Sequence, residues 1–230
     1  MMPISFSRTI GSEIGMQLTP DLPIGQPSFQ LSDDQIATVL DLACRAAHDG
    51  RKEVQSGMYE VPITIIVRKA MRRIKKSTGL TNLQIRGEHE LENMAKADPG
   101  LLGRIDITLQ FLHQFGDEDA YVAIECKRVG AGKTGLNTLY VTEGVNRFVT
   151  GQYSAGHAWG FMLGYVLALP IDQTTTTIDS RIRKDYGDQA KLSKGATHAN
   201  ALAILIGSLL QGGNHTIRLA HMFVDMTPAA

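Results

Sequence analysis

The segment 121–128 constrains the fold of this chain more than any other. It opens with four residues, Tyr121–Ile124, in which polar and apolar side chains do not alternate, and continues with two charged residues two positions apart, Glu125 and Lys127. An unbroken apolar run is typical of a strand that is covered on both faces, and alternate side chains of a strand share a face. We therefore expect Glu125 and Lys127 to lie side by side at the end of a buried strand.

A second carboxylate, Asp106, lies in the strand predicted just before, and an acidic turn at 116–119 joins the two strands. Removing one carboxylate from water costs several kcal/mol and two neighbouring carboxylates repel, so Asp106 and Glu125 require a cation between them. Lys127 supplies part of this charge. Mg²⁺, which prefers oxygen ligands and retains bound water, supplies the rest, with Mn²⁺ as a substitute. Such a set suits hydrolysis of a phosphodiester bond.

The order of predicted elements is that of an α/β protein. A capping box at Ser32 predicts a helix that ends at Gly50, and Pro62 begins a second helix that ends at Gly79. Hydrophobic patterns then predict strands at 83–91, 103–111 and 121–129, a helix at 140–153, a buried strand at 159–169, a polar helix near 178–186, an apolar helix near 199–210 and a closing strand at 216–224.

Length and composition indicate a single packed domain. With 230 residues, 43% of them hydrophobic and 20% charged, the chain can bury one core. The segment 1–30, which contains several prolines, is predicted to form an irregular arm, and 31–230 a single domain with its core at about 59–169. The two cysteines, Cys44 and Cys126, do not suggest a disulfide framework and fit a cytoplasmic protein. The longest apolar run is far shorter than a membrane span, so no membrane contact is expected.

Charge is balanced over the whole chain, with 23 Lys and Arg against 23 Asp and Glu, so a grip on phosphate has to come from a local patch. The second helix offers one, because six cations crowd its polar face. A further lysine lies in a Gly-rich loop after the central strand. Nucleic-acid contacts are expected from Arg68, Arg72, Arg73, Lys76 and Lys133. The alternatives are a solvated helix face and a plain mobile loop.

Asp106, followed by the sequence Glu-Cys-Lys at 125–127, makes the chain resemble the PD-(D/E)xK superfamily of restriction-endonuclease-like nucleases. The likeness covers residues 59–169 in the order helix, three-stranded meander, helix, strand. It implies an α/β fold with a restriction-endonuclease-like core, in which a mixed central sheet is flanked by helices on both faces, with extra N- and C-terminal helices. One departure is Ile105, which stands where the motif has proline.

The resemblance also implies roles for individual residues. Asp106 and Glu125 would bind the metal, the backbone carbonyl of Cys126 would be a third ligand, and Lys127 would position the attacking water. Members often add an acidic residue from the preceding helix, for which Glu60 is the first candidate here. Its carboxylate could instead merely complement the dipole of that helix.

Gln152 falls on the inward face of the helix predicted at 140–153, so its amide needs a partner. It could support the active site or reach DNA, or it could bond to buried backbone groups. Arg147 and Tyr153 share this ambiguity.

The function that these expectations favour is a Mg²⁺-dependent nuclease that cuts DNA rather than RNA, as a restriction-like or phage-defence effector. A neutral chain without a sequence-reading module predicts a homodimer or a companion subunit that supplies targeting. The alternative is a non-catalytic module that binds nucleic acid or a protein, in which the acidic pair forms only a structural salt bridge with Lys127.

Overall fold

A computed structural model of the chain describes residues 29–92 and 101–228, and of 88–92 and 101–103 it gives the backbone alone. The predicted arm at 1–30 therefore lies almost wholly outside the described residues. The predicted first helix is confirmed as α1 (Asp33–Gly50). Its N-cap is Ser32, whose hydroxyl accepts a hydrogen bond from the backbone N–H of Gln35, while the Gln35 side chain accepts one from the backbone N–H of Ser32.

The remaining elements follow in the order that the hydrophobic pattern predicts as far as β4. The helices and strands are α2 (Glu60–Ser77), β1 (Leu83–Glu92), β2 (Leu101–Phe111), β3 (Val122–Val129), α3 (Thr134–Leu139), a π-helical stretch (Tyr140–Val145), α4 (Asn146–Val149), β4 (Trp159–Val166), α5 (Ile171–Tyr186), β5 (Ser193–Lys194), β6 (Ala203–Gln211) and β7 (His215–Asp225). Helix α2 begins two residues before Pro62, which lies in its first turn.

The strands form one mixed sheet in the order β1-β2-β3-β4-β7-β6-β5. Strand β3 is parallel to β4, and β4 is parallel to β7, whereas the other neighbours are antiparallel. A parallel pair needs a crossover connection, and the helical segment α3 to α4 supplies it between β3 and β4. The strand that carries Glu125 is thus internal to the sheet, as its apolar run predicts.

Helices cover both faces of this sheet, which confirms the predicted α/β arrangement. On one face the apolar sides of α1 and α2 pack against residues such as Ile107, Ile124 and Phe161. On the other face the π-helical stretch and α5 pack against residues such as Ala123 and Met162. Because each helix has one apolar side, two separate cores form on the two faces of the sheet.

Two predictions about local structure are wrong. The segment 199–210 does not form an apolar helix, because Ala203–Gln211 is strand β6, which pairs with β7. Its burial varies from residue to residue, as in a strand with one better covered face. The composition of a short apolar run does not distinguish a helix from a strand. The helix predicted at 140–153 begins earlier, at Thr134, and ends at Val149. Gln152 therefore lies in the turn beyond that helix.

Within the part of the chain that the structure describes, none of the helices is long and apolar enough to cross a lipid bilayer.

Candidate active site

The end of β3 places Glu125 and Lys127 on one face of the sheet, as the alternation of strand side chains predicts. Glu125 has no exposed surface and Lys127 is buried. The stem of Lys127 runs beneath the π-helical stretch, where Gly144 has no side chain. A Cβ atom at Gly144 would lie 3.3 Å from Cγ of Lys127 and 2.6 Å from Cε of Met162. The glycine therefore lets the helix close over the lysine stem.

Asp106 lies where the pairing of β2 with β3 stops. The register joins only three residue pairs, which end at Ile107 and Ile124. Beyond them the Asp106 carboxylate, and not a β2 carbonyl, accepts a hydrogen bond of 2.8 Å from the backbone N–H of Cys126. This bond fixes Asp106 beside the Glu125 backbone and explains why the two acidic groups influence each other.

The ammonium of Lys127 is surrounded by three of the oxygen atoms that the PD-(D/E)xK resemblance implies as metal ligands. Its Nζ lies 2.8 Å from Oε1 of Glu125, 2.9 Å from Oε1 of Glu60 and 3.2 Å from the carbonyl oxygen of Cys126. The predicted grouping of Glu60, Cys126 and Glu125 is therefore present, with Lys127 at its centre. Three oxygens that converge on one cation form a place of strong negative potential.

Glu60 is held by its position as well as by its charge. It is the first residue of α2, where a carboxylate is favoured by the helix dipole. Its Oε1 accepts the hydrogen bond from Lys127, and its Oε2 accepts one of 3.1 Å from the backbone N–H of Arg128. The predicted position at the positive end of the helix dipole is therefore present, and the same carboxylate reaches the end of β3, whereas metal binding by Glu60 stays a prediction.

Arg147 and Tyr153, whose roles the sequence alone does not decide, contact the same group of residues. Nη1 of Arg147 donates to Oε1 of Glu125 at 3.0 Å and to the carbonyl oxygen of Arg104 at 3.4 Å, and it also contacts the Tyr153 hydroxyl. The Tyr153 hydroxyl donates to the same Arg104 carbonyl, and the guanidinium lies 5.2 Å from the centre of the Tyr153 ring. The set Glu60, Asp106, Glu125, Lys127 and Arg147 is called the strand-end cluster below.

Burial changes the acidity of both central carboxyl groups. Desolvation, and after it the charge of Asp106, raises the pKa of Glu125 from its ordinary 4.5 to about 8, against the opposing effects of Lys127 and Arg147. Desolvation also raises the pKa of Asp106, although Lys127 and the Cys126 N–H act in the other direction. The cluster therefore has less positive charge than its acidic groups need.

The pKa values of Lys127 and Arg147 are also raised, which for these two groups favours the charged form. Burial by itself would lower the pKa of Lys127, but the carboxylates of Glu125 and Glu60 outweigh it, so the pKa of the ammonium is raised. Arg147 behaves in the same way, with its pKa raised mainly by Glu125. At neutral pH both groups are cations, which can donate hydrogen bonds but cannot accept a proton.

The carboxylate oxygens of the cluster are the ligand type that a divalent cation prefers, but in this structure they surround the Lys127 ammonium. Oε2 of Glu125 is buried and has no hydrogen-bond partner among the described residues. Such an orphaned oxygen is costly unless it carries a proton, which the raised pKa of Glu125 favours, or a cation binds it. Across the described ranges, however, no three His, Cys, Asp or Glu side chains are grouped closely enough to hold a metal ion. Lys127 accounts for this, because its ammonium lies between Glu60 and Glu125.

The predicted nucleic-acid-binding cations are dispersed over α2 and the loop after β3. Arg72, Arg73, Lys76 and Lys133 are exposed and Arg68 is half-buried. Arg68 lies across β1 above Gly87, where any Cβ would clash with its guanidinium, and its Nη1 has no hydrogen-bond partner in the described part of the chain. Arg72 donates weakly to the Ile85 carbonyl, at 3.4 Å. Arg73 pairs with Glu53 at 3.5 Å. These contacts leave most of the positive charge open to solvent.

The Gly-rich loop after β3 is anchored at its first residue. The side-chain amide of Asn137 donates to the carbonyl of Gly130 and accepts from its N–H, both at 3.0 Å. Lys133 follows and precedes α3, with its side chain exposed. The start of the loop is therefore fixed, and the exposed part lies close to Lys133.

Comparisons with protein-family models, with curated proteins and with solved structures found no match for this chain.

Proposed function

We propose that this protein is a divalent-cation-dependent nuclease of the PD-(D/E)xK type that hydrolyses phosphodiester bonds in DNA. The observation that carries the proposal is the buried Glu125, which has one carboxylate oxygen without a partner among the described residues. It lies beside Lys127 on the same strand and Asp106 on the neighbouring strand. A restriction-endonuclease-like core agrees with the mixed sheet and with helices on both of its faces.

Asp106, Glu125, the Cys126 carbonyl and Glu60 are the groups that would hold Mg²⁺ or Mn²⁺. The cation would supply an acidified water molecule and positive charge for the phosphate oxygens. Binding requires Lys127 to release Glu60 and the Cys126 carbonyl, because its ammonium now takes up those oxygens.

Lys127 acts in this proposal as a hydrogen-bond donor. Its raised pKa keeps it protonated at neutral pH, so it can orient water or contact a phosphate oxygen but cannot remove a proton. Arg147, which contacts Glu125 at 3.0 Å, would hold that carboxylate in place when a cation binds. Donors that are fixed before the substrate arrives lower the cost of stabilising the developing charge.

Several features of the proposal come from the sequence alone. We infer DNA rather than RNA as the substrate, a restriction-like or phage-defence role in the cytoplasm, and targeting through a homodimer or a companion subunit. The exposed cations of α2 support a contact with the phosphate backbone.

One observation favours a second candidate function, a non-catalytic binding module. Lys127 is fully engaged by Glu125, Glu60 and Cys126, which is what a purely structural ion-pair network requires. Titration calorimetry with Mn²⁺ distinguishes the two functions, because a nuclease site binds the ion and loses this binding in the Glu125→Gln variant.

Cleavage assays test the proposal directly. Wild type and the variants Asp106→Asn, Glu125→Gln and Lys127→Met are incubated with DNA and Mg²⁺, with EDTA as the metal-free condition. Removal of one charged group from the reaction centre should slow cleavage at least about 100-fold. Asp185→Asn, which changes an exposed carboxylate paired with Arg181, is the matched control and should cut normally. Equal cleavage by all variants would refute the proposal.

A further inference from the structure

An exposed aromatic residue lies directly beside the strand-end cluster. Tyr59 precedes Glu60 in the chain and its surface is 72% exposed, while the neighbouring Val61 is 55% exposed. Tyr59 is the N-cap residue of α2, yet its side chain makes no capping hydrogen bond. Serine, threonine, aspartate or asparagine would stabilise this position better, so the tyrosine ring does not serve the helix.

Arg128 holds the Tyr59 ring in place next to the cluster. Its guanidinium lies 5.3 Å from the centre of the ring, a cation–π distance, and its Nη1 donates to the Met58 carbonyl at 3.3 Å. The Arg128 backbone N–H donates to Glu60, and Arg128 follows Lys127 in β3. The ring is therefore tied on one side to the helix start and on the other to the strand that carries the cluster.

The chemistry of this pair matches a nucleotide. A planar aromatic ring with most of its surface in water is a platform on which a nucleobase can stack. Arg128 has a buried Nε without a hydrogen-bond partner among the described residues, and its positive charge suits a phosphate. A base-stacking surface and a phosphate-binding cation are thus presented together, one residue away from Glu60 and Lys127.

Stacking on Tyr59 also selects the form of the nucleic acid. In a duplex the faces of each base are covered by its neighbours, so an aromatic side chain can stack only on an unpaired or flipped-out base. We propose that Tyr59 and Arg128 form a stacking platform that binds an unpaired nucleotide and gives the site a preference for single-stranded nucleic acid. This inference rests on the proposed function, because it assigns the substrate class to the same site.

Fluorescence anisotropy with a labelled single-stranded oligonucleotide, in EDTA, tests the platform without cleavage. Tyr59→Leu should weaken binding about tenfold, because stacking on one aromatic side chain contributes roughly 1–3 kcal/mol per base. Tyr59→Phe keeps the ring and should bind as wild type. Leu210→Ala changes another exposed apolar side chain, 53% exposed on β6, and serves as the matched control.

Two further arms identify the source of the binding energy. An oligonucleotide of the same length that lacks bases should bind wild type and Tyr59→Leu equally, because only phosphate contacts remain. Arg128→Gln should reduce the salt dependence of binding by about one phosphate contact. A fully paired duplex should bind wild type more weakly than the single strand and should be insensitive to Tyr59→Leu.

The outcomes separate this inference from the proposed nuclease. If Tyr59→Leu binds the single strand as wild type does, or if wild type does not bind it, the platform is refuted, even when Mg²⁺-dependent cleavage depends on Asp106. If Tyr59→Leu loses affinity while no variant ever cuts DNA, the platform stands and the nuclease proposal fails. An unchanged oligonucleotide affinity combined with binding of a protein through Tyr59 and Val61 would also refute it.

Discussion

Two groups of buried polar side chains lie on opposite sides of the central strand β4. They differ in charge and in exposure to solvent. The strand-end cluster holds ionisable groups of both signs and reaches solvent through Glu60 and Arg147, whose side chains are 28% and 29% exposed. His221, on β7, has no exposed surface and shares a hydrogen bond of 2.9 Å with the Tyr140 hydroxyl. Burial lowers the pKa of His221 to about 3, so this pair is neutral.

Each group also contains one atom that has no hydrogen-bond partner in the described ranges, Oε2 of Glu125 and Nε2 of His221. A neutral imidazole nitrogen without a partner costs little compared with a buried carboxylate oxygen. The fold can therefore retain His221 as part of its core, whereas the strand-end cluster is costly unless Glu125 keeps a proton or a cation binds there. The comparison supports the proposed site, because the strand-end cluster combines charged groups with partial access to solvent and the His221 group does not.

The largest expected effect is the loss of a cation from the strand-end cluster. Above about pH 8, where Glu125 is ionised, Lys127→Met leaves this buried carboxylate with a single cationic partner and should lower the free energy of unfolding by about 3–5 kcal/mol. Adding Glu125→Gln should restore part of this loss, because no unpaired charge remains. Urea unfolding of both single variants and the double variant measures the coupling. Strictly additive costs would show that the two side chains do not interact.

The pH dependence of stability should have opposite signs at the two groups. Folded Glu125 keeps a proton that the unfolded chain has lost, so without divalent ions its contribution to stability falls as pH rises from 4.5 to about 8. Folded His221 lacks a proton that the unfolded chain binds, so its contribution rises with pH from about 3 to 6.5.

Each effect is on the order of a few kcal/mol, since one pKa unit corresponds to about 1.4 kcal/mol. Denaturant unfolding in EDTA across this pH range measures them, with Glu125→Gln and His221→Leu as the variants that should each remove one slope. Slopes of the same sign in both difference curves would contradict the assignment.

Overpacking provides a smaller and more selective test. Gly144→Ala brings a Cβ to 2.6 Å from Met162 and 3.3 Å from Lys127, and Gly164→Ala brings one to 2.8 Å from Phe223 and 3.4 Å from Tyr140. Both variants should lose about 1–3 kcal/mol of stability. Only Gly144→Ala should also slow DNA cleavage, because it displaces the lysine stem. Melting temperatures and cleavage rates, measured together, show whether the two glycines differ.

The smallest effect on stability is expected when both members of the neutral hydrogen-bonded pair, Tyr140 and His221, are replaced. Replacing Tyr140 by Phe and His221 by Leu in one variant removes donor, acceptor and orphaned nitrogen together, so stability should stay within about 1 kcal/mol of wild type. Cleavage should be unchanged. A loss of activity in this double variant would show that the comparison between the two groups is wrong.

The sequence predicts the part of the site that depends on local periodicity. Alternation along β3 places Glu125 and Lys127 on one face, and the capping box gives the start of α1. Arg147 and Tyr153 could not be assigned, because their contacts with Glu125 depend on how α4 and the following turn lie on the sheet. Such contacts join distant segments and leave no regular spacing.

The wrong assignment of β6 has a different cause. An apolar run of this length fits a helix or a strand, and its partner β7 comes later in the chain. A signal was nevertheless present, because Gly212 and Gly213 both have positive φ, at 59° and 84°, in the short turn that connects Gln211 to His215. Adjacent glycines between two apolar runs are typical of a hairpin.

The π-helical stretch Tyr140–Val145 determines the angular position of everything that follows it. A residue in an α-helix advances about 100° around the axis, since one turn holds 3.6 residues. Deleting a single residue within this wide turn would therefore rotate Arg147 more than a quarter of the way around its helix and carry its guanidinium off the carboxylate. The length of this stretch therefore sets the contact between Arg147 and Glu125, and inserting or deleting one residue should break it.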